Sequence, residues 1–87
     1  MSLKCVVFSA SWCSPCKMLA PIFDKVAAST PDVVFEKVDI DENPMRAQQM
    51  GVAAVPTIIV EKDGKIVDSL VGLQREAAIL NVINKWK

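Results

Sequence analysis

The feature that most constrains the fold is a short apolar run, followed by a helical pattern and then by a second apolar run. Residues 3–9 (LKCVVFS) are apolar and rich in β-branched side chains, which is typical of a buried strand. From Pro15 to about Ala28, apolar residues recur at three- and four-residue spacing, as on one face of a helix. Residues 33–40 (VVFEKVDI) form the second run, ending near Asp39. Such a strand–helix–strand unit predicts two parallel strands joined by a right-handed crossover.

The next segment predicts a short helix with a clear start and stop. Asn43 is placed as the N-cap, and Pro44 as the first helical residue, where its missing N–H leaves no helical hydrogen bond unmade. Gly51 readily takes the left-handed conformation in which many helices end. We therefore expect this helix to stop at Gly51.

The last third of the chain predicts a β-hairpin and a final helix. Two apolar runs, residues 56–62 and 65–71, flank the dipeptide Asp63-Gly64, which is strongly favoured in two-residue hairpin turns. The segment from about Gln74 to Trp86 has helical periodicity. The hairpin therefore adds an antiparallel pair of strands to the parallel pair.

Together these elements predict an α/β fold with the order β-α-β-α-β-β-α. The sheet has four strands, is mixed in direction and carries helices on both faces. The 87 residues form one domain, 1–87, and their 52% hydrophobic content is enough to build a core for it.

Composition excludes several classes of function. Ten basic and ten acidic residues cancel without any run of like charges, so no nucleic-acid-binding surface is indicated. No stretch approaches the ~20 apolar residues of a membrane span, and Cys5–Phe8 is too short for the core of a signal peptide. Three cysteines, an odd number, argue against a secreted disulfide framework. We expect a soluble cytoplasmic protein that starts at Met1.

Residues 11–17 (SWCSPCK) hold two nearby thiols with three conceivable uses: a metal site, a structural disulfide or a redox couple. A zinc site needs four ligands, and the chain has no histidine and only Cys5 besides this pair. A structural disulfide over so small a ring removes little unfolded-state entropy, and a reducing cytosol does not preserve it. These considerations favour the redox couple, with no metal bound.

The position of the pair supplies the chemistry that a redox couple needs. Cys13 lies where the first strand gives way to the first helix, and free N–H groups at a helix start stabilise a thiolate. Cys16 lies one turn further on, and Pro15 stiffens that turn. We therefore expect Cys13 to be an exposed nucleophile that attacks a substrate disulfide, and Cys16 to resolve the mixed disulfide.

At this point the chain resembles the thioredoxin family. The resemblance rests on motifs in family order and spacing: WCSPCK (12–17), Pro21, VDIDENP (38–44), VPT (55–57), Gly64 and Gly72. It implies a protein-disulfide reductase that binds no cofactor and is recharged with electrons from NADPH by a thioredoxin reductase. Typical members begin with an extra strand and helix, so the chain is most similar to the short thioredoxins and glutaredoxin-like proteins of archaea and viruses.

The resemblance also implies a substrate-docking surface. The Val55–Pro56 bond is expected to be cis and to lie against the cysteine pair, where the backbone of Val55 pairs with an extended substrate segment. From sequence alone, Pro56 is interpreted as a residue that begins a strand, because few X–Pro bonds are cis. Trp12 could be a core aromatic, but a partly exposed rim position is favoured. The apolar surface around Cys13 is expected to comprise Trp12, Ala54, Val55, Gly72 and Leu73.

Two positions, Val7 and Ser14, depart from the family pattern, and a third, Lys37, is affected by the change at Val7. Val7 replaces a buried aspartate that is thought to accept the proton of the second cysteine, so Cys16 must lose its proton to water or to substrate thiolate. Lys37, the usual companion of that aspartate, is expected to turn outward or to pair with Asp39. Ser14 replaces a glycine, and its hydroxyl is expected to donate a hydrogen bond to the thiolate of Cys13, making the protein a slightly weaker reductant.

Cys5 is the remaining thiol. It is interpreted as a small buried hydrophobe in the first strand, with a regulatory or dimer-forming thiol as the alternative. Strand alternation predicts that Cys5 and Val7 share one face of the sheet, and that Val6 and Phe8 share the other.

Two rival functions remain open at this stage. A glutaredoxin-type enzyme usually carries a glycine pair and an acidic residue after the last strand, whereas residues 71–77 (VGLQREA) hold one glycine and no basic cluster for glutathione. A non-catalytic role as a subunit of another enzyme is the second rival. The favoured prediction is a monomeric reductase of protein disulfides, partnered by thioredoxin reductase.

Overall fold

The computed structural model describes residues 2–87 and contains, within them, seven helices and strands in the predicted order. These are β1 (Leu3–Ser9), α1 (Ser14–Ser29), β2 (Val34–Asp39), α2 (Pro44–Gln49), β3 (Thr57–Lys62), β4 (Lys65–Val71) and α3 (Glu76–Trp86). Most predicted bounds agree to within one or two residues. β3 begins after Pro56 rather than at it, because proline has no N–H to give to the ladder.

The four strands form one mixed sheet in the order β2-β1-β3-β4. β1 runs parallel to β2 and antiparallel to β3, and β3 pairs antiparallel with β4. At the centre of this register, Val7 lies between Lys37 of β2 and Ile58 of β3. The predicted thioredoxin-like architecture is confirmed.

Helices cover both faces of the sheet, as predicted. α1 and α3 cover the face that carries Cys5 and Val7, and α2 covers the face that carries Val6 and Phe8. The side chains of β1 are buried on both faces because this central strand lies between two apolar layers. The alternation predicted for β1 is therefore confirmed.

Turn chemistry fixes the ends of two elements. Asp63 and Gly64 have φ angles of 52° and 83°, the two positive values that a tight two-residue hairpin turn needs. Gly51, with φ of 72°, directly follows Met50, the C-cap of α2, so the helix stops there as predicted. Both turns therefore use the residues that adopt the left-handed conformation most readily.

A charged cluster ties α2 to the sheet. The carboxylate of Glu36 accepts hydrogen bonds from both terminal nitrogens of the Arg46 guanidinium, and the ammonium of Lys4 lies 2.8 Å from it. These contacts lower the pKa of Glu36 to about 2, mainly through the hydrogen bond from Arg46. The cluster holds the helix that precedes the loop 50–56, which reaches the cysteine pair.

Candidate active site

Cys13 is the N-cap of α1, as its position between strand and helix predicts. Its backbone is extended (φ −95°, ψ 109°), and its own N–H donates to the carbonyl oxygen of Ala10 at 3.2 Å. The backbone N–H of Cys16 donates to Cys13 Sγ at 3.2 Å. Pro15 lies in the first turn, where it interrupts no helical hydrogen bond. The sulfur of Cys13 thus takes the place that a serine or aspartate oxygen takes in an ordinary N-cap.

Cys13 and Cys16 form a disulfide, with their Cα atoms 5.3 Å apart. Both residues are nearly buried, at 5% and 6% exposure, and they pack with Ala10, Ile40 and Val55. The expectation of an exposed Cys13 is therefore wrong in degree, because the long-range contacts with Ile40 and Val55 cover it.

The loop before β3 lies directly against the disulfide. The carbonyl oxygen of Val55 is 3.8 Å from Cys13 Sγ, and the Val55–Pro56 peptide bond is cis. The hydroxyl of Thr57 donates to the Ala54 carbonyl oxygen at 2.6 Å, and the N–H of Gly72 donates to the Pro56 carbonyl oxygen at 2.8 Å. Hydrogen bonds on both sides of Pro56 thus fix the position of this loop.

Trp12 lies at the rim of the site and is 66% exposed, as favoured from its position beside Cys13. Its indole Nε1–H donates to Asp41 Oδ2 at 2.9 Å. This contact was not predicted, although Asp41 lies within the motif VDIDENP. The signal that could have found it is the predicted parallel pairing of β1 and β2, which brings the residues after both strands to the same edge of the sheet.

An open apolar pocket of about 130 Å³ lies beside Trp12. It is lined by Trp12, Ile40, Ala47 and the loop residues Val52 to Val55. Of the predicted docking residues, the structure thus brings Trp12, Ala54 and Val55 together.

The other predicted docking residues lie on the β4 side of the loop. Gly72, with φ of 91°, bonds to Pro56 through its backbone, and Leu73 next to it is 45% exposed. Neither residue lines the pocket beside Trp12. The surface therefore has two parts, on either side of the Val55–Pro56 segment.

Lys37 turns outward, and its partner is Asp24 of α1, with Nζ 2.5 Å from Oδ1. The predicted alternative, an ion pair with Asp39, is wrong. Asp39 Oδ1 instead accepts from the backbone N–H groups of Asp41 at 2.8 Å and Glu42 at 3.4 Å, so this carboxylate serves the loop after β2.

Exposure and polarity differ among three further positions, Ser14, Val7 and Cys5. Ser14 is exposed. Among the described contacts, Cys13 Sγ accepts its hydrogen bond from the backbone N–H of Cys16 and not from the Ser14 hydroxyl. Val7, which is 6% exposed, packs in the apolar core. Cys5 is completely buried, and burial raises the pKa of its thiol to about 11.

Within residues 2–87 no three cysteine or carboxylate side chains gather closely enough to hold a metal ion. Over the same residues, no helix combines the length and the apolar character that crossing a membrane requires.

Comparison with known proteins agrees with this geometry. The family model described as thioredoxin matches residues 2–85. A thioredoxin of Chlamydia caviae is 43% identical over 83 residues, which cover 95% of this chain and 81% of that protein. The chain belongs to the thioredoxin family. Its redox-active Cys13–Cys16 pair and its family make the chain a dithiol–disulfide oxidoreductase with protein-disulfide reductase activity.

Solved thioredoxin structures are also similar to the fold of this chain. The X-ray structure of Fasciola hepatica thioredoxin superposes with a TM-score of 0.93 at 40% identity, covering 99% of this chain and 82% of that one. A second match has a TM-score of 0.91 at 34% identity and covers 97% of this chain and 78% of that one. It belongs to work on thiol resolution in a yeast mitochondrial 1-Cys peroxiredoxin via glutathione/thioredoxin systems.

Proposed function

We propose that the protein reduces protein disulfides with Cys13 as the nucleophile and Cys16 as the resolving thiol. The observation that carries the assignment is the asymmetry of the pair: Cys13 Sγ occupies the N-cap and accepts the backbone N–H of Cys16. A helix N-terminus and a donated N–H both favour the thiolate form of reduced Cys13.

The reaction proceeds in two displacements. The Cys13 thiolate attacks one sulfur of the substrate disulfide, the substrate S–S bond breaks, and the first substrate cysteine leaves as a thiolate. The Cys16 thiolate then attacks Cys13 Sγ, which releases the second substrate thiolate and forms the Cys13–Cys16 disulfide. Two electrons pass to the substrate, and its two thiolates take up protons.

Among the described residues, those packed around Cys16 offer no acceptor for its proton in this mechanism. Cys16 packs with Ala10, Ile40 and Val55, and the core position at Val7 is apolar. Apolar surroundings disfavour a thiolate, so the leaving substrate thiolate or a water molecule must take this proton. Resolution is therefore the step that we expect to be slow in this chain.

Docking of the substrate rests on the Val55–Pro56 segment. Its fixed backbone lies against Cys13 Sγ, and an extended substrate segment is placed to pair with Val55 by strand addition. Apolar side chains of that segment meet Trp12 and Ala54 on one side and Leu73 on the other.

The electron supply and the setting of the protein are the next part of the proposal, and family membership supports them. We propose that thioredoxin reductase, using NADPH, reduces the Cys13–Cys16 disulfide, and that the protein is a cytoplasmic monomer of one domain, 1–87. The relative in Chlamydia caviae, which is named thioredoxin, supports the thioredoxin-type electron supply. The peroxiredoxin work on a structural relative supports thiol proteins as a substrate class.

An insulin-reduction assay with two electron sources tests the proposal. Turnover is expected with NADPH and thioredoxin reductase, and little with glutathione and glutathione reductase. Cys13→Ser should abolish turnover, and Cys16→Ser should accumulate a mixed disulfide, whereas Cys5→Ser serves as the matched control and should turn over normally. Reduction only in the glutathione arm would reassign the protein as a glutaredoxin-type enzyme. Retention of activity in the host by the Cys13→Ser/Cys16→Ser variant would indicate a non-catalytic role.

A further inference from the structure

We propose that this protein is selective for disulfides that join two cysteines of one substrate chain, because the first thiolate that such a substrate releases stays beside Cys16 and takes its proton. A disulfide whose two halves separate after the attack of Cys13, such as one between two chains or between a protein and a small thiol, persists as a mixed disulfide. The inference rests on the proposed function, since it names the substrate class of the same site.

The sulfur of Cys16 lies where solvent has little access to it. The residue is 6% exposed and packs in one cluster with Ala10, Cys13, Ile40 and Val55. Because Cys13 belongs to the same cluster, a substrate bonded to Cys13 Sγ covers Cys16 further. Water is therefore a poor acceptor for the Cys16 proton at the moment of resolution.

The carboxylates of α1 and of the segment that follows β2 have other partners. Asp24 binds the ammonium of Lys37, with Nζ 2.5 Å from Oδ1, and Asp39 Oδ1 accepts from backbone N–H groups of its own loop at 2.8 and 3.4 Å. Asp41 Oδ2 accepts from an indole N–H at 2.9 Å. Among the described residues, no hydrogen bond joins a carboxylate to the side chain of Cys16.

The sheet face that α1 covers supplies no base either. Val7, at 6% exposure, packs there in the same core cluster as Leu19 and Phe23 of α1. Cys5 lies on this face too, and burial raises the pKa of its thiol to about 11, so an apolar environment of this kind strongly favours the protonated thiol. A base for Cys16 must therefore enter with the substrate.

The substrate brings one such base to the site in every turnover. When the Cys13 thiolate attacks, the substrate S–S bond breaks and the first substrate cysteine leaves as a thiolate. That thiolate takes the proton of Cys16 and becomes a neutral thiol. The Cys16 thiolate then attacks Cys13 Sγ and releases the second substrate cysteine as a thiolate. Two electrons pass from the Cys13/Cys16 dithiol to the substrate, so the step needs no further acid, base or oxidant.

The connection between the two substrate cysteines decides whether the first thiolate stays available. In an intrachain disulfide, the polypeptide holds the released thiolate close to the site at a high effective concentration. In an interchain or small-molecule disulfide, the released half diffuses away before Cys16 reacts. The apolar surroundings of Cys16 thus convert a difference in substrate connectivity into a difference in the rate of resolution.

Single-turnover reactions of the fully reduced protein with two matched peptides test this inference. The first peptide contains an intrachain disulfide. The second is the same peptide with one cysteine replaced by serine, supplied as a disulfide-linked dimer, so that the released half is a separate molecule. Acid quenching and intact-mass measurement follow the reduced, mixed-disulfide and oxidised forms of the protein. Their time courses give the rate of resolution separately from the rates of attack and of its reversal.

In the wild type at pH 7, the mixed disulfide from the intrachain peptide should resolve roughly 10-fold faster than the one from the dimer, which should accumulate. At pH 9 this difference should shrink several-fold, because hydroxide then takes the proton in both reactions. Val7→Asp, with a carboxylate on the face that α1 covers, should resolve both mixed disulfides at rates within about two-fold of each other. Val7→Asn, which cannot take the proton, should keep the wild-type difference.

The outcomes distinguish this inference from the proposed function. Equal rates of resolution for the two peptides in the wild type would overturn the inference and assign the proton to water, while the reductase activity would stand; this comparison needs no variant. A difference in folded Val7→Asp as large as in the wild type would also overturn it, because a missing acceptor would then not be the cause. Formation of neither mixed disulfide nor oxidised protein from either peptide would overturn the proposed function, and the inference with it.

Discussion

Val7 of β1 lies directly opposite Lys37 of β2, yet the ammonium of Lys37 turns away from it to contact Asp24 on α1. The lysine that accompanies a buried carboxylate elsewhere in the family is thus engaged at the surface, and the carboxylate position itself is apolar core. The two residues together explain how the chain avoids burying a charge.

Substitution of Val7 by Asp should restore a proton acceptor on the sheet face covered by α1, the helix that carries Cys16. We expect insulin reduction at pH 7 to accelerate several-fold, because general-base assistance then aids the resolving step. The same change should lower the free energy of unfolding by roughly 2–4 kcal/mol, since Val7 is 6% exposed. Val7→Asn, similar in shape but unable to take the proton, is the control. Turnover of Val7→Asp at or below that of Val7→Asn would contradict the mechanism.

Removal of the Ser14 hydroxyl tests whether it stabilises the reduced protein. In the disulfide form Ser14 is exposed, but the Cys13 thiolate of the reduced form offers it a charged acceptor nearby. Ser14→Gly and Ser14→Ala should then lower the reduction potential by roughly 20 mV, measured by equilibration with glutathione. Ser11→Ala, another serine of the same SWCSPCK segment, is the control. Potentials that do not change in either Ser14 variant would show that the Cys16 backbone N–H suffices.

The ion cluster at Glu36 should make the free energy of unfolding depend on pH. Its pKa falls from 4.5 to about 2 on folding, so the folded state binds the proton less well than the unfolded state. The stabilisation is therefore present above about pH 4.5 and disappears as the pH falls to about 2. Because the Glu36 side chain is 31% exposed, solvent screening reduces this stabilisation to roughly 1–2 kcal/mol.

Denaturant unfolding of Glu36→Gln across this pH range measures the effect. The variant should be less stable than wild type at pH 7, and the difference should vanish near pH 2. Asp24→Asn, which breaks an exposed pair with Lys37, should show a smaller difference. A Glu36→Gln difference that does not change between pH 7 and pH 2 would rule out the charge as its cause.

Cys5 should be unreactive in the native protein. With a pKa of about 11, only about one molecule in a thousand carries the thiolate at pH 8, and the residue is completely buried. In Cys13→Ser/Cys16→Ser, where Cys5 is the only thiol, a thiol reagent at pH 8 should react only after denaturant is added. Rapid labelling of the folded variant would instead support the regulatory or dimer-forming interpretation of Cys5.

Local sequence signals predicted the elements well where short-range physics decides them. Asp63-Gly64 adopts the two positive φ angles that its residue types favour, and Asn43-Pro44 starts α2. The position of Cys13 at the junction of β1 and α1 also followed from periodicity alone. In each case the determining contacts lie within one turn of the chain.

Contacts between residues far apart in the chain could not be predicted from the sequence pattern. The choice of Asp24 rather than Asp39 as the partner of Lys37 depends on how α1 lies over β2, and the covering of Cys13 by Ile40 and Val55 depends on two distant loops. Trp12 and Asp41 are 29 residues apart, and no local preference links an indole to a carboxylate at that distance.

The amino-acid sequence by itself determined which residues could do redox chemistry, because thiol spacing and the start of a helix are local properties of residues 13–16. Tertiary structure decided what surrounds them: the Val55 carbonyl oxygen against Cys13, the Asp41 carboxylate that holds Trp12, and the apolar pocket between them. Those contacts form only in the folded sheet. The parallel strands β1 and β2 end at one edge of it, and the loop before β3 lies at the same edge.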